Sequence, residues 1–208
     1  MMATQEKIDL FRTHQDEYAA PKSPILVNIR EGIYLTIEGH GAPGGAEFTA
    51  KVGALYGVAY TIKMTRRFAG EQDYVIGKLE AQWWGEKEGV RFEQLPREKW
   101  NWRLLIRTPG FVGKHELKQA VSALLDKGKQ REVAQVRLEK MAEGMCIQML
   151  HVGPYERESD TIGEMKEFAY REGLVPVGKH HEIYLSDPRR VPPERLKTIL
   201  RMPVVCRD

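Results

Sequence analysis

One pattern in the 208-residue chain constrains its fold more than any other: an ordered series of elements that occurs twice. Glu31-Gly32 and Gly41 bracket eight residues that read as a strand, and Glu143-Gly144 and Gly153 bracket another eight. A segment of helical pattern follows each strand. A Gly-Lys pair then opens the next strand, at Gly77-Lys78 and at Gly178-Lys179, and each of these strands carries a glutamate, Glu80 and Glu182. The order strand-helix-strand-strand therefore appears in both halves. It predicts an α+β protein built from two such repeats with antiparallel sheets, related by a pseudo-twofold axis and leaving a central cleft of the kind in which ligands commonly sit. The repeats fall at about 31–108 and 143–205, with a helical connector over about 114–141, in a single domain spanning 1–208.

The individual elements follow from periodicity. Ile8, Leu10, Phe11 and Tyr18 predict a short helix that ends before Pro21. Gly32–Glu38 is β-branched and aromatic and predicts a strand. Phe48, Val52, Leu55, Val58 and Ile62 form one stripe of a helix running from about Glu47 to Arg67. Strands are expected around Tyr74–Trp84 and Trp100–Thr108. The connector reads as two helices broken at Gly128. A strand at Met145–Val152, a helix at Asp160–Arg171 capped by Ser159 or Asp160, and strands at Lys179–Leu185 and Leu196–Val205 complete the chain.

Composition sets limits on the partners. With 32 basic and 29 acidic residues the net charge is only +3, and the Lys and Arg residues are scattered. The pairs Arg66-Arg67 and Arg189-Arg190 read as solvated surface, so no direct nucleic-acid binding is expected. Two cysteines, Cys146 and Cys206, make no disulfide framework, and the first residues lack the apolar core of a signal peptide. No apolar run approaches the roughly 18 residues that span a bilayer. A cytoplasmic protein with no membrane contact is the expectation; the oligomeric state is left open.

Gly39-x-Gly41-x-x-Gly44 has the outline of a dinucleotide loop, but Glu80 lies too far downstream, Pro43 sits in the turn, and no parallel βαβ run follows. Adjacent His180 and His181 point to opposite faces of a strand, and no ligand set surrounds them in the sequence. Neither a cofactor nor a metal is expected. The informative strands are Leu79–Trp84 and His181–Leu185. Alternation puts Glu80, Gln82 and Trp84 on one face of the first, with Trp83 on the other, and puts Glu182 and Tyr184 together on one face of the second. All four tryptophans, Trp83, Trp84, Trp100 and Trp102, fall within 20 residues. Core packing would explain any one of them. Together with two glutamates they suggest a pocket for a flat hydrophobic or cationic aromatic molecule, and both Glu80 and Glu182 are expected to reach it.

The segments Leu79–Trp84, Trp100–Arg103 with Ile106–Pro109, Leu150–Tyr155 and His181–Pro188 resemble the GyrI-like small-molecule-binding proteins of the SOUL/GyrI superfamily. The resemblance runs from about Lys7 to Val205. It implies the same duplicated fold and a ligand pocket. Relatives include drug-binding halves of transcription regulators, a gyrase inhibitor, and stand-alone cyclopropanoid cyclopropyl hydrolases, which open the strained ring of alkylating natural products. By motif, Glu182 matches the pocket carboxylate, and Tyr155, Trp83 and Trp84 match pocket positions, with Trp102 and Tyr184 as further ligand-binding candidates. No helix-turn-helix is present. Three readings follow: a cofactor-independent hydrolase that detoxifies cyclopropanoid electrophiles, using Glu182, Tyr155 and Glu80; a module that senses or sequesters drugs; and a protein-binding inhibitor.

Overall fold

The protein is described by a computed structural model that covers residues 6–85, 95–129 and 131–207. It divides into two units. Unit 1 comprises Met1–Thr13, Gly32–Gly77 and Trp84–Met141, and unit 2 comprises His14–Glu31, Lys78–Trp83 and Ala142–Asp208.

In unit 1, β2 (Gly32–His40) lies between β4 (Asn101–Thr108) and β5 (Arg137–Met141), antiparallel to both. Helix α2 (Ala46–Phe68) covers this sheet with Ala54, Leu55, Val58, Ala59 and Ile62, which recur at the three- and four-residue intervals of one helical face. Lys51 is nearly buried on that face. Its ammonium donates to the Glu38 carbonyl at 2.6 Å and to Glu47 Oε1 at 2.7 Å, which keeps its charge satisfied. Helix α3 (Lys114–Asp126) packs on α2 and ends at Lys127, followed by Gly128 with φ +67°. The expected second connector helix does not form: a 3-10 turn, Arg131–Gln135, leads into strand β5. Its Arg-Leu-Glu-Lys-Met sequence has few apolar residues because it sits at a sheet edge, and Glu139 meets Arg103 of β4 at 3.3 Å. The first helix is also shorter than expected, α1 covering only Leu10–Thr13.

Gly39, Gly41 and Gly44 belong to this unit: Gly41 and Gly44 turn the chain with φ of +102° and +77°, and Gly39 serves its packing. A Cβ on Gly39 would lie 2.1 Å from the Trp102 ring, so only glycine lets the indole lie flat across β2.

In unit 2 the strands run in the order β1 (Ile25–Ile29), β6 (Gly144–Val152), β9 (Lys197–Cys206), β8 (His180–Tyr184), β3 (Leu79–Trp84), all antiparallel, with β7 (Leu174–Pro176) added alongside β9. Both β1 and β7 are additional to the elements read from sequence. Helix α4 (Glu158–Arg171) lies on one face over a cluster of Ile147, Met149, Ile162, Met165, Leu200 and Met202. It begins two residues earlier than expected, with Arg157 as its cap, so that Glu158 falls inside the first turn. Among the described residues no helix is long and apolar enough to cross a membrane.

Candidate functional site

The register of β3, β8, β9 and β6 assigns the polar side chains of these strands to one face or the other. Gln82 pairs with His181, His181 with Arg201, and Arg201 with Gln148 of β6, so these four side chains form one row across four strands. The row is a buried polar core. His181 Nδ1 meets Glu143 Oε2 at 2.8 Å and its Nε2 meets Glu80 Oε2 at 3.0 Å. Arg201 reaches Glu143 Oε2 at 3.0 Å, Gln148 Oε1 at 2.7 Å and the Glu17 carbonyl at 2.9 Å. Burial opposes charge on His181, but the facing Glu143 and Glu80 outweigh it and raise its pKa to about 9. Burial likewise opposes charge on Glu143, and His181 and Arg201 overcome it, holding the carboxyl down at about 2.

Glu80 therefore sits apart from Glu182, and the expectation that both reach one cleft is corrected. Ala81, not Glu80, pairs with Glu182, while Glu80 pairs with Ile183. With a side-chain period of two, that single-residue offset sends the two carboxylates to opposite faces. Glu80 is completely buried, accepting a hydrogen bond from the Tyr18 hydroxyl at 3.1 Å.

The face beneath α4 carries the other constellation. There β8 presents His180, Glu182 and Tyr184, β9 presents Thr198, and β3 presents Ala81 and Trp83. The Tyr184 hydroxyl donates to Glu182 Oε2 at 2.6 Å, and His180 Nε2 stands 3.3 Å from Glu182 Oε1. Tyr155, in the 3-10 turn Tyr155–Arg157 before α4, meets Tyr184 edge to face with ring centroids 6.0 Å apart and planes at 81°. Glu158 descends from the first turn of α4. Burial is the main force on its carboxyl and the neighbouring Glu182 adds to it, raising the pKa to about 10. An N-terminal helix position favours an anion by only about 0.3–1 kcal/mol, too little to reverse that. Burial, then Glu158 and Glu182, push the Tyr155 hydroxyl up to about 12, so it stays a donor at neutral pH. Burial and Glu182 raise Tyr184 as well.

Of the residues singled out from sequence, the structure brings Tyr155, Glu182 and Tyr184 together and puts Trp83 on the same sheet face. Trp84 turns the other way along β3 and is half-buried. Trp102 belongs to the core of unit 1: fully buried, it donates from its indole N–H to the Gly41 carbonyl at 3.1 Å and packs edge to face on Phe48. Glu158 is a member that the sequence does not single out, and His180 is one that the sequence offers only as a metal ligand and then disfavours.

One donor atom each from Glu158, His180 and Glu182 lies within 4.8 Å of the others, a spacing that a divalent cation could bridge; His14, Asp16 and Glu17 offer a second such group. A separate groove of about 380 Å³ on unit 2 is lined by Lys22, His151, Arg157, Asp160 and Glu194, among others, and includes no residue of the Glu182 cluster.

The antiparallel α+β fold places the chain in the class of small-molecule-binding domains. The chain belongs to the GyrI-like family: the GyrI-like small molecule binding domain model matches residues 108–205, and close structural relatives span the whole fold. An uncharacterized conserved protein from Listeria innocua is 39% identical, with a TM-score of 0.89 over 96% of this chain and 100% of its own. A hydrolase from Listeria innocua is 37% identical, with a TM-score of 0.85 and the same coverage. The C-terminal domain of EcmrR shares the fold alone, at 10% identity and a TM-score of 0.59 over 88% of this chain and 98% of its own. No curated protein matches the sequence.

Proposed function

We propose that the protein binds flat aromatic electrophiles at the Tyr155–Glu182–Tyr184 cluster of unit 2 and opens an activated cyclopropane ring by adding water. The observation that carries this reading is the Glu182 carboxylate fixed by the Tyr184 hydroxyl at 2.6 Å beside a second aromatic donor, Tyr155. A hydrolase from Listeria innocua at 37% identity over the full fold supports hydrolytic chemistry.

In the proposed reaction the oxygen of water bonds to the ring methylene and the strained carbon–carbon bond breaks. The electron pair of that bond moves through the conjugated system to the carbonyl oxygen. Glu182 accepts the proton that water loses, and Tyr155 supplies a hydrogen bond and then a proton to the carbonyl oxygen. Proton return from Glu182 to Tyr155 through solvent closes the cycle, and the net change is the addition of one water. Ring strain lowers the barrier, so an acid–base contribution of about 10²–10⁴-fold together with positioning is a sufficient demand on the site. Trp83, Tyr155 and Tyr184 are the aromatic surfaces of the site in this reading, whereas Glu80 serves the buried ion network.

The test is product formation from a cyclopropane-fused dienone, followed by mass spectrometry with wild type, Glu182→Gln and Tyr155→Phe. The mechanism requires a hydrated product from wild type and collapse of turnover in Glu182→Gln with binding retained. If wild type binds but forms no hydrated product, the second reading replaces it: a drug-binding module in which the same carboxylates attract cationic aromatic ligands.

A further inference from the structure

Adjacent His180 and His181 turn to opposite faces of β8. His181 joins the buried ion row, and His180 is left two residues before Glu182 on the face beneath α4. Glu158, in the first turn of α4, descends onto that pair, and one donor atom from each of the three lies within 4.8 Å of the other two. The charges around them are unbalanced. Glu143 has Arg201 at 3.0 Å and His181 at 2.8 Å, and Glu17 has Arg30 at 2.5 Å. Among the described residues neither Glu158 nor Glu182 meets a Lys or Arg side chain, and the charges that bear most on Glu158 are those of Glu182 and Glu156. Buried charges are paired or bind metal. A second observation points into the same space: Glu158 is only 7% exposed, and although the Thr198 hydroxyl bonds its carboxyl, its Oε1 is a buried oxygen with no hydrogen-bond partner among the described residues.

We propose that Glu158, His180 and Glu182 form a binding site for a zinc ion, with a water molecule as its fourth ligand. Two ligand atoms at about 2.0–2.1 Å from one zinc ion and at the tetrahedral angle are about 3.3–3.4 Å apart. His180 Nε2 and Glu182 Oε1 are 3.3 Å apart, and the carboxyl of Glu158, at the end of three rotatable bonds, closes on the same point. Outer hydrogen bonds hold the two carboxylates in place: the Tyr184 hydroxyl donates to Glu182 Oε2 at 2.6 Å and leaves Oε1 for the ion, and Thr198 orients Glu158. His180 and Glu182 each keep a tenth of the side chain exposed, which gives the ion a way in. One imidazole and two carboxylates suit zinc better than magnesium, which needs six oxygen ligands in near-ideal octahedral array. The other candidate group, His14, Asp16 and Glu17, already holds a cation, because Arg30 lies 2.8 Å from Asp16 and 2.5 Å from Glu17. The zinc site does not rest on the hydration reaction proposed above. It competes with it, since the ion takes the Glu182 oxygens out of use as a base.

The experiment titrates chelator-stripped full-length protein with Zn²⁺ and, separately, with Mg²⁺ in a calorimeter, with no organic ligand present. Wild type is expected to bind about one zinc ion per chain and to bind Mg²⁺ far more weakly. Tyr184→Phe, which removes an outer partner, should weaken zinc by about 10–100-fold, and Glu158→Gln and His180→Gln, which remove ligands, by more than that. His14→Gln should bind as wild type does. Thermal unfolding in chelator shows that each variant folds, and added zinc should raise the unfolding midpoint of wild type but not of Glu158→Gln or His180→Gln. A zinc-soaked crystal of the wild type places the ion without any variant, through its anomalous signal between residues 158, 180 and 182. No zinc binding, equal affinity for Mg²⁺, zinc affinity unchanged in Glu158→Gln and His180→Gln, or an anomalous peak elsewhere overturns the proposal. Hydration of a cyclopropane by metal-free protein is a separate outcome, so the zinc site and the reaction stand or fall independently.

Discussion

Replacing Glu158 by Gln should stabilise the protein, and by an amount that grows with pH. In the unfolded chain this carboxyl has its ordinary pKa of 4.5, and in the fold burial and Glu182 raise it to about 10. Between these values the native state holds a proton that the unfolded state has released. Stability contributed by this group is therefore full below about pH 4.5 and declines as pH rises toward the folded value. At pH 7 the penalty is set by the distance from 4.5, which at about 1.4 kcal/mol per pH unit gives about 3 kcal/mol. That figure does not depend on where above neutrality the folded value lies. Glutamine keeps the shape, stays neutral in both states, and its amide can donate to Glu182 as the carboxyl does. Urea unfolding of wild type and Glu158→Gln at a series of pH values measures the difference. The two should agree to within about 1 kcal/mol near pH 4 and diverge steadily toward pH 7. Parallel stability profiles across that range would refute the buried, proton-holding state of Glu158.

The buried ion network makes a separate pH prediction. With its pKa raised from 6.5 to about 9, His181 contributes stability that is full below 6.5 and lost as pH rises through about 9; in a Glu158→Gln background that loss should be visible, and Glu143→Gln should weaken it and move it to lower pH by removing the first partner of the imidazolium. Arg201→Met removes one of the two cations that face Glu143 and should cost about 3–5 kcal/mol in chemical unfolding, as removal of one member of a buried pair does. Gly39→Ala forces a Cβ into the Trp102 ring and should cost about 1–3 kcal/mol, read as a lowered unfolding midpoint. Tyr155→Phe should lower turnover by roughly 10²-fold or more while an aromatic ligand still quenches tryptophan fluorescence; unchanged turnover would remove Tyr155 as the donor.

Much of the architecture was legible because it is written in local pattern. The Gly-bracketed strands, the stripe of α2 and the paired strand-helix-strand-strand order all depend on residues close in sequence. The alternation within β3 and within β8 was also readable, and Glu182 does share its face with Tyr184. The relation between the two strands was not. Whether Glu80 or Ala81 stands opposite Glu182 is decided by non-local pairing, and a shift of one residue moves a whole set of side chains to the other face. Glu158 was hidden for a related reason: it looks like one more charge in Glu156-Arg157-Glu158, and only the descent of α4 onto β8 turns it inward. The tryptophan cluster misled at Trp102, where proximity in sequence suggested a shared pocket but the close fit over Gly39 makes it a core residue of unit 1. Strand β5 was read as helix because an edge strand with alternating charges carries little of the apolar period that marks a buried one.

An aromatic ligand is expected at the Tyr155–Glu182–Tyr184 cluster. A crystal structure of Glu182→Gln with an unreacted cyclopropane-fused dienone tests this most directly, because the variant should bind without turning over. The ligand ring is predicted to lie against Tyr155 and Tyr184, with the ring methylene facing residue 182 and the carbonyl oxygen within hydrogen-bond reach of the Tyr155 hydroxyl. A ligand found instead in the groove lined by Lys22, His151 and Arg157, with the Tyr155–Tyr184 cluster empty, would contradict the central claim.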